Sequence, residues 1–258
     1  MKKKINISIL MTVYNSQEFV LKSIKSILNQ SYKNFKLIIV NDGSNDNTKN
    51  ILKKFNKRKN IKIFNLKKNI GRTNALNFGL KRCKTKYIAI LDADDVSLKN
   101  RLKIQFNFLE KNTNIHLVFS SIKWIDRDSK VIKEKKASQK DINNLVVLNS
   151  INHSSIMFRS IVLKKIKFYP KEFIYAQDYA FLLKVFKYFK ISFLQNCLCH
   201  IRQHNLNMTN NLSLKKIIIN EQLKLYNWSL NNIIITIDQK ILIKFNIIKL
   251  KIKQLLTI

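Results

Sequence analysis

The sequence is poor in glycine, proline, cysteine and acidic residues. Its 258 residues include 3 glycines, 1 proline and 3 cysteines. The cysteines have no metal-ligand spacing and are odd in number, so we interpret Cys83, Cys197 and Cys199 as free thiols in a reducing compartment. No run of about 18 apolar residues occurs, which argues against a membrane-spanning helix. The apolar run at 5–13 lacks a signal-peptide cleavage site. We expect a cytoplasmic protein, or one peripheral on the inner face of the membrane.

Positive charge dominates, with 49 Lys and Arg against 15 Asp and Glu and a net charge of +34. A nucleic-acid-binding protein, a protein held at an anionic membrane surface and a protein from an AT-rich genome would each be basic. Lysine far outnumbers arginine, whereas a nucleic-acid reader uses arginine for bidentate contacts. We therefore favour compositional drift, expect no nucleic-acid partner, and leave peripheral membrane contact open.

The first half alternates short β-branched runs with segments of helical spacing. Strands are predicted at 7–13, 36–40, 62–66 and 87–91. Helices are predicted near 20–28, 50–55, 73–82 and 99–111, the first of them with a capping box formed by Asn15 and Glu18. This order predicts an α/β fold with a Rossmann-like, mostly parallel sheet flanked by helices.

The second half is less regular. It predicts strands at 116–124 and 191–197, a charged loop at 133–140, and helices at 141–150, 177–189 and from 212 onward. We predict one domain at 1–210, with a nucleotide-binding half at 1–115 and an acceptor half at 116–210. A helical C-terminal tail at 211–258 follows, and we favour a packed tail over a basic membrane helix.

Polar residues follow each of the first four predicted strands, where open α/β sheets bind ligands. These segments are 12–15, 41–46, 69–72 and 92–95. Gly43 and Gly71 fall among them, which indicates backbone with positive φ or a close approach. The sequence therefore predicts that these four polar segments lie together at one edge of the sheet.

The acidic cluster Asp92-Ala93-Asp94-Asp95 is unusual in so basic a chain. Carboxylates this close repel one another unless a cation or hydrogen bonds neutralise them. Mg²⁺ or Mn²⁺ uses one or two carboxylates together with substrate phosphates. We assign Asp92 and Asp94 to such a site and expect Asp95 to cap the following helix. The chain has neither a Walker A sequence nor a G-x-G-x-x-G motif, which argues against P-loop and nicotinamide sites.

Four segments resemble, in order and spacing, the successive blocks of family 2 glycosyltransferases. They are ILMTVYN at 9–15, VNDGSNDNT at 40–48, NIGRTNALNFG at 69–79 and ILDADD at 90–95. Looser similarity follows at 153–159, at Gln177-Asp178 and at 201–204, so the resemblance extends to about residue 210. It implies a GT-A fold, a nucleoside-diphosphate sugar donor (a UDP-sugar as first choice), Mn²⁺ or Mg²⁺, and inversion at the anomeric carbon.

The resemblance also implies roles for individual residues. Asp178 would be the catalytic general base, and Asp94 would bind the metal, with His204 near it. The nucleotide-sugar residues would be Thr12 and Tyr14 along the nucleotide, Asp42 at the base, Arg72 near the donor, and Asp92 at the ribose or a metal-bound water. Two positions depart from the family pattern: Asn41 replaces an Asp, and Gln177 replaces the Glu usually found beside the base.

The implied function is transfer of a sugar to a glycan or lipid-linked acceptor hydroxyl, in cell-surface polysaccharide or lipopolysaccharide synthesis. Gln177 keeps a catalytically inactive paralogue open as an alternative, and the charge keeps a nucleic-acid-binding protein open. A nucleotidyltransferase would need a glycine-rich triphosphate loop near the N-terminus, and residues 10–16 contain no glycine.

Overall fold

The computed structural model describes residues 5–204 and 214–255. Within these ranges, helices flank one sheet of nine strands. The strands are β1 (Ile7–Val13), β2 (Phe35–Asn41), β3 (Ile61–Asn65), β4 (Tyr87–Ile90), β5 (Val96–Ser97), β6 (Leu117–Ile125), β7 (Val131–Lys135), β8 (Met157–Arg159) and β9 (Ile191–Arg202). The α-helices are α1 (Val20–Leu28), α2 (Thr48–Lys53), α3 (Arg72–Leu80), α4 (Arg101–Lys111), α5 (Gln139–Asn143), α6 (Val162–Ile166), α7 (Gln177–Tyr188), α8 (Lys215–Asn232) and α9 (Ile237–Leu255).

The sheet is parallel in its first half and mixed in its second. The strand order is β3-β2-β1-β4-β8-β6-β9-β5, with β7 beside β6. Strands β1 to β4 pair in parallel, whereas β8 is antiparallel to both β4 and β6. Strand β9 runs parallel to β6 and antiparallel to β5. The carboxyl ends of β1, β2 and β4 therefore lie at one edge, and β9 brings the end of its chain segment to the same edge.

The central strands are buried on both faces, as a sheet covered by helices on both sides requires. All seven residues of β1 are buried. Leu10 of β1 packs in one core cluster with Leu76 and Leu80 of α3. Its neighbour Ile9 packs on the opposite face with Ile24 and Ile27 of α1. The two clusters pack on opposite faces of β1 and hold it in place, so the residues that follow β1 start from a fixed position.

The helix α8, which lies in the predicted tail, packs against the main body. Leu225 and Tyr226 belong to the same buried cluster as Ile88 of β4. The Tyr226 hydroxyl donates a hydrogen bond of 2.8 Å to the carbonyl of Val147. The first residues of that predicted tail, up to 213, lie outside the described residues. Between 214 and 255 the chain forms two helices, α8 and α9, as expected for a helical tail.

The predicted capping box before α1 is wrong. The helix begins at Val20 and no side chain caps it. Asn15 instead has a φ of 46° and its Oδ1 accepts a hydrogen bond of 2.9 Å from the Asn45 amide. Glu18 pairs with Arg127. Both side chains contact residues that are distant in sequence, so neither caps the helix.

Three secondary-structure elements in the second half of the chain also differ from the prediction. The charged segment expected to be a loop begins with β7, which pairs with β6 as an exposed strand. The helix expected at 141–150 is the short α5, and it starts at a capping box formed by Ser138 and Asp141. The late strand continues to Arg202 because its second part pairs with both β6 and β5.

Candidate active site

A cleft of about 240 Å³ opens at the edge where β4 ends. Both halves of the chain line it, and the cleft brings together three of the predicted carboxylates. Its lining includes Asp92, Asp94, Asp95, Trp124, Asn149, Asn152, His153, Asp178 and Arg202. The remaining predicted residues, Thr12, Tyr14, Asp42, Arg72 and His204, lie outside this lining.

Arg72 and Asp92 form the central ion pair of the site. The Arg72 Nη2 atom lies 2.7 Å from Oδ1 and 2.8 Å from Oδ2 of Asp92. Burial alone would raise the pKa of Asp92, but the Arg72 charge and the neighbouring His153 ring outweigh it and lower that pKa. Asp92 is therefore held as a carboxylate.

His153 supports this pair from the segment between β7 and β8. Its Nδ1 lies 3.7 Å from Asp92 Oδ1, and its Nε2 lies 2.7 Å from the Tyr169 hydroxyl. The Asp92 amide donates to Ser154 Oγ at 3.0 Å. The sequence placed His153 in a family-like block but assigned it no role. The structure gives it one, because its ring lies between the Arg72–Asp92 pair and the buried Tyr169.

Asp94 points toward the end of β9. Its Oδ2 lies 3.0 Å from Nε2 of His204, and the His204 ring stacks on Phe19 at a centroid distance of 4.7 Å. The Arg202 Nε donates to the Asp94 carbonyl at 3.0 Å. The predicted metal pair is thus adjacent in space, although 110 residues separate its members.

Asp95 does not cap a helix, which corrects the prediction. It is buried, and its Oδ1 accepts a hydrogen bond of 2.9 Å from the Arg202 amide. Burial, followed by the charges of Asp94 and Asp92, raises its pKa well above the usual range. The short strand β5 follows Asp95 directly, so α4 starts only at Arg101, after Asn100.

The predicted nucleotide residues surround the ends of β1 and β2. Asp42 is buried, and its Oδ1 accepts a hydrogen bond of 2.8 Å from the Ile70 amide. Burial raises the pKa of Asp42, although hydrogen bonds from two backbone amides offset part of that effect. Thr12 is buried at the end of β1, whereas Tyr14 is 46% exposed beyond it. Tyr14 is the one of these three side chains that is freely accessible.

Gly43 lies where the segment after β2 packs closely against residues 68 and 69. It has a φ of 68°, and a Cβ there would lie 2.5 Å from the Asn69 nitrogen and from the Lys68 carbonyl carbon. No side chain fits between these two loops, so glycine is required. The close approach predicted from the scarcity of glycine is present.

Asp178 is the second residue of α7 and is half-buried. Its Oδ1 accepts from the Tyr179 amide at 2.7 Å, and its Oδ2 accepts from the Asn149 side chain at 3.4 Å. It faces the same cleft as Asp92 and Asp94. The Asp178 carboxylate therefore has few partners beyond its own helix.

Gln177 is buried and explains its departure from the family pattern. Its amide nitrogen donates to the carbonyls of Ile174 at 2.8 Å and Tyr175 at 2.9 Å, and its oxygen accepts from Arg72 Nε at 3.0 Å. A glutamate has no N–H to donate and would place negative oxygen against two carbonyls. The amide therefore suits this particular loop, and Gln177 is not by itself a sign of lost activity.

The sequence matches the family described as glycosyl transferase family 2 over residues 8–203. The chain belongs to that family. An uncharacterized glycosyltransferase of Methanocaldococcus jannaschii is 38% identical over 185 residues, which are 69% of this chain and 63% of that protein. An uncharacterized glycosyltransferase of Rickettsia typhi is 32% identical over 212 residues, 79% of this chain and 66% of that protein. The prediction of a family 2 glycosyltransferase is confirmed at the level of the family.

Solved structures of two other proteins share the fold. S. aureus TarS in complex with UDP-GlcNAc has a TM-score of 0.67 at 20% identity, over 84% of this chain and 66% of that chain. The mannosyltransferase PcManGT of Pyrobaculum calidifontis, in complex with GDP-Man and Mn²⁺, has a TM-score of 0.69 at 12% identity, over 95% of this chain and 70% of that chain. The predicted GT-A architecture is confirmed. The family 2 chain spans less than two thirds of the length of both curated relatives.

Proposed function

We propose that this family 2 chain is an inverting glycosyltransferase that moves a sugar from a nucleoside-diphosphate sugar to an acceptor hydroxyl. The observation that carries the proposal is the single cleft joining Asp92 and Asp94 to Asp178. In the reaction, the acceptor oxygen bonds to the anomeric carbon as the bond from that carbon to the diphosphate oxygen breaks. The diphosphate leaves with the electron pair, and a carboxylate takes the hydroxyl proton.

Asp178 fits the role of that general base better than its neighbours do. Asp92 is bound by the Arg72 guanidinium and has a lowered pKa, so it is a poor proton acceptor. Asp95 is buried against the Arg202 amide. Asp178 lies in the same cleft, but on α7 rather than in the segment after β4, and an acceptor hydroxyl would approach it there. This separation keeps the base apart from the phosphates, as direct displacement requires.

Asp94 and His204 suit a Mn²⁺ or Mg²⁺ ion. One carboxylate oxygen and one imidazole nitrogen already lie 3.0 Å apart, and diphosphate oxygens and waters would supply the remaining ligands. Among the residues that the structure describes, no group of three or more His, Cys, Asp or Glu side chains forms a complete metal cage. A site with two protein ligands is consistent with a metal that arrives with the donor. When bound, the metal would neutralise charge on the departing diphosphate.

The donor would lie along the rim formed by the ends of β1, β2 and β4. Tyr14 is exposed there and Asp42 is fixed by backbone amides, which suits contacts with the ribose and the base. Arg72 and Asp92 would face the sugar and the ribose. TarS was solved with UDP-GlcNAc and PcManGT with GDP-Man, and we retain a UDP-sugar as the first donor to test. We assign donor binding to residues 1–115, acceptor binding to 116–210, and the helical tail to 211–258.

The helix α9 supports a glycan or lipid-linked acceptor at a membrane surface, in cell-surface polysaccharide or lipopolysaccharide synthesis. Five apolar side chains on it, between 52% and 78% exposed, are spaced three or four residues apart and form one stripe. They are Ile237, Ile241, Phe245, Ile248 and Ile252. At 3.6 residues per turn, exposed lysines border the stripe on both sides, namely Lys240, Lys244 and Lys251 on one and Lys249 and Lys253 on the other.

An anionic bilayer is the occupant that this face fits best. An apolar stripe between lysines lies flat at the lipid boundary, with the lysines near anionic headgroups. A second copy of the chain carries the same net charge of +34 and would be repelled. Across 5–204 and 214–255, every helix is too short or too polar to cross a bilayer. The proposed contact is therefore peripheral.

The function is tested by incubating the purified chain with UDP-, GDP- and dTDP-sugars, with and without Mn²⁺. One donor class should raise the melting temperature in a metal-dependent way and should be turned over slowly. Stabilisation without any turnover on glycan or lipid acceptors would favour the inactive paralogue. If no donor stabilises the protein, and it instead binds DNA or RNA with a steep salt dependence, the proposal is wrong.

The membrane contact is tested by flotation with vesicles of phosphatidylglycerol or of phosphatidylcholine alone. The wild type should float with the anionic vesicles, and Ile248→Asp should reduce the floated fraction several-fold. Ile132→Asp is the matched control, because Ile132 of β7 is similarly exposed. Equal loss in both variants, or flotation independent of lipid charge, would refute a specific role of α9.

A further inference from the structure

Glu221 of α8 is a buried carboxylate aimed at the segment just before α7. Its Oε1 accepts a hydrogen bond of 2.7 Å from the Ile174 amide. Its Oε2 accepts bonds of 2.9 Å from the Tyr175 amide and 2.8 Å from the Ala176 amide. The residue is 4% exposed. Three consecutive backbone donors therefore converge on one side chain from a helix more than forty residues away in sequence.

This arrangement satisfies the backbone that leads into α7. The N-cap position of α7 is Ala176, whose side chain makes no capping hydrogen bond. The amides at a helix start need acceptors, and a negative charge there also interacts favourably with the helix dipole. Glu221 accepts from the N-cap amide of Ala176 and from the two amides before it, and it places its carboxylate next to the helix start. The start of α7, and with it Asp178, is therefore fixed to α8.

The same segment is bound on its other side by the site. The carbonyls of residues 174 and 175 accept from the Gln177 amide, whose oxygen accepts from Arg72 Nε. Arg72 in turn holds Asp92. A continuous series of hydrogen bonds thus runs from Glu221 through the 174–176 backbone and Gln177 to the ion pair on the donor side.

The division between acid and amide has a physical reason. At residue 177 the loop presents two carbonyls, which need N–H donors, and the amide of glutamine supplies them. From α8 the same loop presents three N–H groups, which need acceptors, and a carboxylate supplies these better than an amide. Glutamine at 177 and glutamate at 221 therefore satisfy opposite sides of one backbone segment.

We propose that Glu221 is a positioning residue, which acts through the 174–176 segment to direct Asp178 at the acceptor hydroxyl. The inference rests on the proposed role of Asp178 as the base. It makes α8 part of the catalytic architecture, and it predicts that disturbing a residue outside the cleft changes turnover more than donor binding.

The kinetic test compares Glu221→Gln with Glu172→Gln in the full chain. Glu172 is exposed in the same loop, so its variant carries the same chemical change away from the α7 start. The number of donor-binding sites is measured by titration calorimetry with the nucleoside diphosphate and Mn²⁺, and kcat is expressed per site. We expect Glu221→Gln to lower kcat per site about 10- to 100-fold with an unchanged site number. The control should match the wild type.

A purely structural role would give a different result. Activity and site number would fall together, and kcat per remaining site would be unchanged, which would overturn the proposal. If Glu221→Gln does not fold, Glu221→Asp keeps the charge on a shorter stem. That variant should show a smaller loss of kcat per site, and wild-type turnover in it would equally contradict the proposal.

Hydrogen exchange supplies a readout that does not depend on activity. The amides of residues 174–176 should exchange at least about tenfold faster in Glu221→Asp than in the wild type, because a shorter side chain weakens their acceptors. Unchanged exchange would show that Glu221 does not hold the segment. If the wild type itself neither binds nor transfers any sugar, the proposed function fails, whereas the exchange experiment still decides the contact.

Discussion

The two sides of the cleft hold their carboxylates in different ways. On the donor side, Asp92 is bound by Arg72 and supported by His153, and Asp42 and Asp95 accept hydrogen bonds from backbone amides. On the acceptor side, Asp178 contacts its own helix and the Asn149 amide at 3.4 Å. The donor side is preorganised by direct contacts, whereas the acceptor side is positioned through the backbone. Changes on the donor side should therefore affect binding and stability, and changes on the acceptor side should affect turnover.

The largest effect is expected for Asp178→Asn. The amide keeps the size of the side chain and can still accept from the Tyr179 amide, but it cannot take a proton, so transfer should fall about 10³-fold. The donor dissociation constant, measured by calorimetry, should stay within about twofold of the wild type, since Asp178 forms no hydrogen bond with Arg72 or Asp92. Loss of donor binding in this variant would erase the distinction between the two sides.

Asp94→Ala should act on the donor side and through the metal. Removing one of two protein ligands should raise the Mn²⁺ concentration needed for half-maximal donor binding by about 10- to 100-fold. Titration of Mn²⁺ at fixed nucleotide, followed by thermal shift, measures this change. Asp126→Ala is the control, because this carboxylate accepts its hydrogen bond within a turn after β6. An Asp94→Ala variant with the wild-type metal response would remove the metal from the proposal.

Gly43→Ala should change the free energy of unfolding and have the smallest effect on the chemistry of the cleft. The alanine would adopt a strained φ and its Cβ would collide with the backbone of residues 68 and 69, at a cost of about 3 kcal/mol. Gly71→Ala is the matched control, because Gly71 has a φ of 85° but no atom within 4 Å of a Cβ. Its cost should be about 1–2 kcal/mol. Equal losses in urea denaturation would show that the two loops separate easily and that the donor side is less rigid than its contacts indicate.

The predictable part of the fold was the part buried on both faces. Strands β1, β2 and β4 lie within one residue of the predicted bounds because their buried runs of Ile, Leu and Val leave little ambiguity. The strand β7 was missed because it is exposed and carries alternating charges, so no apolar face marks it. The end of β9 was missed because its polar residues are satisfied by β5 and by the acidic cluster.

The candidate site likewise has residues that the sequence predicts and contacts that it does not. Residues at strand ends, such as Asp42 and Asp94, follow from topology and from the family resemblance. The contacts of His153 with Asp92, of Gln177 with Arg72 and of Glu221 with Ile174 could not be read from spacing, since each spans tens of residues. For His153 a signal existed in its family-like block. For Glu221 the only clue in the sequence was a single acidic residue within a basic helical segment.

The pairing of β5 with β9 has a consequence for synthesis on the ribosome. Val96 lies opposite His200, and Asp95 receives its hydrogen bond from Arg202, so the acidic cluster is completed by a strand made about a hundred residues later. Contacts of such long sequence separation form late and carry a high loop-closure cost. A nascent chain that ends before residue 204 would expose the clustered carboxylates at an unpaired sheet edge. Under the proposed function, such a chain would bind the donor only after β9 had been synthesised.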